Sequence, residues 1–170
     1  MAEQQKTILV VDDELSMREY LELMLAREGY AVTTAESGKA ANALLEKQFF
    51  DLVLLDIRLG DISGLDVLRK AKAQHPKTIV IMISAYATAE NAVEAMNEGA
   101  YDYLPKPFDN DELKDTIAKA LQLKTLKDEK AHIDSELKES LHYGRIVGNS
   151  PRMQHIYEVI EQVAPTRTTV

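Results

Sequence analysis

Asp12, Asp13, Asp56, Ser84 and Lys106 are the side chains whose types and positions allow shared chemistry. Each follows a short apolar run with no helical period: residues 7–11 (T-I-L-V-V), 52–55 (L-V-L-L), 78–83 (T-I-V-I-M-I) and 101–104 (Y-D-Y-L). Runs of this kind suit strands buried on both faces of a parallel sheet. Ligands in open α/β sheets bind outside the carboxyl ends of the strands, so these five side chains converge on one edge. Three carboxylates crowded there raise one another's pKa unless a cation holds them. A hard, all-oxygen donor set with room for water and phosphate oxygens suits Mg²⁺. A carboxylate in that setting can attack phosphorus and become an aspartyl phosphate. Lys106 adds a movable positive charge and Ser84 a hydroxyl, both suited to the oxygens of a transferring phosphoryl group.

Positioning five such groups requires alternating strands and helices. Residues 14–28 carry Met17, Tyr20, Leu21, Met24 and Leu25 at helical spacing, and Gly29 can close that helix. Residues 30–35 form a β-branched run, Ser37 is a candidate N-cap, and Ala40, Ala41, Leu44 and Leu45 make the buried face of a second helix. A third helix presents Leu65, Leu68 and Ala71 before His75 and Pro76 stop it. The fourth, over about residues 88–98, presents Ala89, Ala92, Val93 and Met96, with Gly99 as its cap. Asp109, Asn110, Asp111 and Glu112 suit the start of a fifth. Five βα repeats predict an α/β, flavodoxin-like, doubly wound (βα)5 parallel sheet of strand order 2-1-3-4-5.

Composition sets limits on function. The chain has 170 residues, 45% hydrophobic and 28% charged, as a soluble globular protein does. No apolar stretch approaches the roughly 18–20 residues of a membrane span, so no membrane partner is expected. The amino-terminal residues lack a signal-peptide pattern, and cysteine is absent, which together predict a cytoplasmic setting. A net charge of -8 opposes non-specific nucleic-acid binding by these residues.

The residues V-V-D-D-E at 10–14, L-L-D-I-R at 54–58, I-S-A-Y at 83–86 and Y-L-P-K-P-F at 103–108 resemble the receiver domain of two-component response regulators, the CheY-like fold, over about residues 5–124. The resemblance implies that Asp56 accepts a phosphoryl group from a histidine kinase. It implies that Asp13, Asp56 and the backbone carbonyl of Arg58 hold Mg²⁺, with Asp12 helping through water. Ser84 and Tyr103 become a switch pair, Lys106 the phosphate partner, and the Lys106–Pro107 bond is expected to be cis. Arg58 and Tyr86 would tune phosphate lifetime. Many receivers carry proline at the position of Gly60, where glycine gives the loop more backbone freedom.

The fifth helix shows no stop before Gly144. Leu123, Leu126, Ile133 and Leu137, with Lys130 among them, form a short, imperfect heptad seam, so residues 125–143 are expected to be a helical coiled-coil linker that makes a homodimer. Residues 144–170, with I-V-G-N-S-P-R-M at 146–153, resemble the opening of the AAA+ domain of sigma-54-dependent activators of the nitrogen-regulator (NtrC) type. No G-x-x-x-x-G-K-[ST] phosphate loop follows. The expectation is an input domain (1–124), a linker and the lip of an output domain, with contacts to sigma-54 RNA polymerase and DNA made by domains not in these residues. Two other readings stand beside it: a haloacid-dehalogenase-like phosphatase, whose second acid is replaced by Arg58, and a structural dimerisation module.

Overall fold

The computed structural model describes residues 4–142, with side chains through residue 138. Five strands, β1 (Thr7–Val11), β2 (Ala31–Ala35), β3 (Leu52–Asp56), β4 (Ile79–Ser84) and β5 (Asp102–Pro105), alternate with helices α1 (Leu15–Arg27), α2 (Gly38–Lys47), α3 (Gly64–Gln74), α4 (Ala89–Asn97) and α5 (Asn110–His142). The strands pair in parallel in the order β2-β1-β3-β4-β5, the flavodoxin-like order expected.

Strand side chains alternate between two cores, as the period of two requires. Leu9, Val11, Val53 and Leu55 pack with α2, α3 and Ala95 of α4. Ile8, Val10, Leu52 and Leu54 pack with Leu21, Met24 and Leu25 of α1 and Leu113, Ile117, Ala120 and Leu121 of α5. The sheet is therefore covered on both sides, which is why its strands read as unbroken apolar runs.

Helix starts follow local chemistry. Ser37, Ser63 and Thr88 each accept a backbone N–H of the following turn, from Ala40, Leu65 and Asn91. At the head of α5, Asp109 Oδ1 accepts from the amides of Asp111 and Glu112 at 2.9 and 3.0 Å.

Two inward assignments are corrected. Tyr20 is 43% exposed, because Leu21, Met24 and Leu25 already fill the face of α1 that meets the sheet. In α4, Ala89, Val93 and Met96 of the expected stripe are exposed, and Ala95 is the buried residue. The apolar residues of α4 lie on two faces, and the one carrying Ala95 docks. On its solvent side, Arg69 of α3 pairs with Glu94 at 2.7 Å and Glu98 at 3.1 Å.

At the amino end of the sheet, Lys124 of α5, 8% exposed, donates to Asp51 Oδ1 at 2.7 Å. Its ammonium also lies 4.5 Å from the centre of the Phe49 ring. The other Asp51 oxygen accepts from the Thr7 amide at 2.9 Å and the Thr7 hydroxyl at 3.1 Å.

The compact unit holding the sheet runs to Lys127, and a second unit begins at Asp128. Within the second, residues 128–142 are helical and their side chains through 138 are mostly exposed. Residues 144–170, expected to open an AAA+ domain, lie outside the described residues.

Candidate functional site

β1 and β3 lie side by side in register, Val11 opposite Leu55, so Asp12 and Asp56 emerge next to each other at the carboxyl edge. β4 and β5 bring Ser84 and Lys106 to the same edge, and the Lys106 amide donates to the Ser84 carbonyl at 2.8 Å. Carboxylate oxygens of Asp12, Asp13 and Asp56 all lie within 4.8 Å of one another. Asp12 is fully buried, Asp56 is 7% exposed and Asp13 faces solvent, so the cluster has a closed floor and an open mouth.

Lys106 is the cation within this group. Its ammonium lies 2.6 Å from Asp12 Oδ2 and 2.8 Å from Asp56 Oδ2. The remaining oxygens are oriented by backbone: Glu14 N–H donates to Asp12 Oδ1 at 2.9 Å, and Arg58 N–H to Asp56 Oδ1 at 3.0 Å. Burial pushes the Asp56 carboxyl above the ordinary carboxylate range; Lys106 and the Arg58 amide oppose this, and the charge of Asp12 adds to it. Burial works to lower the Lys106 pKa, yet its two carboxylate partners outweigh burial and raise it. The two groups thus rise for different reasons, Asp56 chiefly through burial and Lys106 through its carboxylate partners.

That donor set fits Mg²⁺. Hard carboxylate oxygens from three residues converge at an open mouth, and the group's charge is only partly neutralised by Lys106. Asp12, Asp13 and Asp56 offer the oxygens that could hold it.

Around the acids, Ser84 is buried and its Oγ accepts from the Tyr86 amide at 3.1 Å. The Arg58 guanidinium sits 3.8 Å from the centre of the exposed Tyr86 ring, a cation–π stack beside the mouth. Tyr103 is half-buried against the α2–α3 core, and its hydroxyl is buried with no hydrogen-bond partner. The Lys106–Pro107 peptide bond is cis. Gly64 lies against β3 so closely that a Cβ there would strike the Asp56 carbonyl oxygen, which fixes where the loop after Asp56 can rejoin the sheet.

Three contacts have no sequence signal of their own. Arg18 donates to the Asp12 carbonyl at 2.8 Å, Asp61 binds the amides of Gly38 and Lys39, and Arg58 stacks on Tyr86. Each joins residues on different elements, and none belongs to a spacing pattern readable along one segment.

The family pattern described as the response regulator receiver domain matches residues 8–118. The transcriptional regulatory protein ZraR of Escherichia coli K12 is 42% identical over 168 residues, covering 96% of this chain and 36% of that protein. The regulatory protein AtoC of the same organism is 38% identical over 163 residues, covering 96% of this chain and 35% of that protein. This chain thus spans about a third of the length of these curated relatives. Among solved structures, a CheY-like receiver domain protein from Methanospirillum hungatei superposes with a TM-score of 0.72 at 35% identity, over 73% of this chain and 99% of that one. NtrX from Brucella abortus gives 0.71 at 37% identity, over 96% of this chain and 35% of that one. By its fold, its strand-end acids and these matches, the chain belongs to the response regulator receiver domain family.

Proposed function

We propose that this receiver takes a phosphoryl group from a histidine kinase onto Asp56. The observation that carries the reading is Asp56 itself: a strand-end carboxylate, 7% exposed, with Lys106 at 2.8 Å inside a three-acid cluster. In the transfer, an Asp56 carboxylate oxygen forms the new P–O bond as the P–N bond of the donor phosphohistidine breaks. The departing imidazole keeps the bond's electron pair and takes up a proton. Lys106 follows the transferred oxygens because its ammonium already touches Asp56, and the Ser84 hydroxyl is the next donor on that edge. Asp13, Asp56 and the Arg58 carbonyl would hold Mg²⁺, with Asp12 helping through water, and the ion would supply charge neutralisation for the phosphoryl oxygens.

Ser84 and Tyr103 act as the switch pair. A buried tyrosine hydroxyl without a partner has something to gain from a new arrangement. Arg58 and Tyr86, stacked beside the mouth, tune how readily water reaches the phosphoryl group. The chain is a signalling input, not a turnover enzyme; phosphotransfer and autodephosphorylation are its only chemistry. Residues 1–124 form the receiver, 125–143 a coiled-coil linker and 144–170 the beginning of an AAA+ domain. Phosphorylation would change a homodimer through the receiver face and linker, and thereby a sigma-54-type activator working in the cytoplasm. Sigma-54 RNA polymerase and DNA would meet domains outside these residues.

Incubation with phosphoramidate and Mg²⁺, followed by intact mass, tests the reading. The wild type should gain one phosphoryl group and Asp56→Asn none. Steady release of phosphate from small phosphoesters would favour the phosphatase reading instead.

A further inference from the structure

We propose that Asp61 is a positioning residue for the phosphoacceptor loop, tying the segment that carries the Arg58 carbonyl to the head of α2. The proposal rests on the Mg²⁺-dependent receiver reading above and deepens it. Asp61 Oδ1 accepts from the Gly38 amide at 3.0 Å and Oδ2 from the Lys39 amide at 2.9 Å, so both oxygens are committed to one helix end. Gly60, immediately before it, has φ +77°, a value proline cannot adopt. The loop therefore follows a path closed to chains with proline at that position, and this path delivers Asp61 to α2. Its other fastenings agree. Ile62 packs where a Cβ on Gly38 would sit, Arg58 and Ser63 bridge across the loop, and the Gly64 amide returns to the Ile57 carbonyl at 2.8 Å.

The consequence is mechanical. Arg58 offers a backbone carbonyl, whose position is set wholly by the loop's path. Asp61 is the loop's ionised attachment to a different element, and oxygens that orient a metal's ligands govern its affinity as much as the ligands do. Ser37 caps the same helix through the Ala40 amide at 3.1 Å, and it provides a control that weakens α2 without releasing Asp61.

The experiment compares Asp61→Ala, Asp61→Asn and Ser37→Ala with the wild-type chain. It measures Mg²⁺ affinity by calorimetry, amide exchange at Arg58 and Gly64 without metal, and the thermal midpoint. Asp61→Ala should weaken Mg²⁺ binding on the order of tenfold and speed exchange at Gly64. Asp61→Asn, keeping one acceptor oxygen, should fall between it and the wild type. Ser37→Ala should lower the midpoint while leaving Mg²⁺ affinity and Gly64 exchange unchanged. Unchanged Mg²⁺ affinity in both Asp61 variants, or an equal loss in Ser37→Ala, would overturn the proposal, because Asp61 would then be only a second cap. A wild type that binds Mg²⁺ but takes no phosphoryl group from phosphoramidate would instead sink the functional reading and leave this one standing.

Discussion

Lys106 touches two of three crowded carboxylates, so the charge balance of the site hangs on one side chain. Removing one member of a buried ion pair strands the other, at a cost of about 3–5 kcal/mol. Lys106→Met should therefore lower stability by roughly 3 kcal/mol in urea titrations without metal, and added Mg²⁺ should return part of the loss. Asp56→Asn should act in the opposite sense. It removes a carboxylate that burial and Asp12 disfavour while leaving an oxygen for the Arg58 amide and Asp12 for Lys106. A gain of about 1 kcal/mol would raise the thermal midpoint by roughly 2–4 °C, and a fall would contradict this account of the charge. The acids and Lys106 were legible from the sequence because each ends a short buried run, and parallel strands bring such ends to one edge. Asp61 and the Arg58–Tyr86 stack were not, because each depends on which residue of a different element lies opposite.

At the scale of elements, α5 is fastened where it passes the base of the sheet. Lys124 reaches Asp51, and Asp51 also accepts from Thr7, so one carboxylate links α5, β1 and the start of β3. Burial works to raise the Asp51 pKa, but Lys124 and Thr7 outweigh it and hold the carboxyl below its ordinary value of 3.8. A depressed folded-state pKa gives stability that is fully present above 3.8 and is withdrawn as pH falls below it. Stability measured through that acid window should therefore fall less steeply in Asp51→Asn than in the wild type. Lys124→Met should cost roughly 3 kcal/mol at neutral pH by leaving Asp51 without its cation. The helical period located the helices, and the inward faces of α2 and α3 could be read from it. It failed for α4, where apolar residues occupy two faces and burial in the core of the face carrying Ala95 selects between them. It failed for Tyr20 because a tyrosine at an inward spacing can still lie at the border of a filled face.

Over the whole molecule, the site and the fastening of α5 lie at opposite ends of the sheet, and α5 continues past the second to His142. Leu123, Leu126 and Ile133 are 44%, 55% and 46% exposed, an apolar series on one long helix. Among the described residues, no helix is long and apolar enough to cross a membrane. If this series is a dimer seam, Leu126→Asp with Ile133→Asp should yield a monomer in light scattering and leave phosphorylation by phosphoramidate intact. A dimer that survives both changes would place the contact elsewhere. Reductive trapping identifies which carboxylate accepts the phosphoryl group. The chain is phosphorylated with phosphoramidate and Mg²⁺, reduced with borohydride and mapped by peptide mass spectrometry. The reduced residue should be Asp56 alone; a trapped acyl phosphate on Asp12 or Asp13, or none at all, would mean that Asp56 is not the phosphoacceptor.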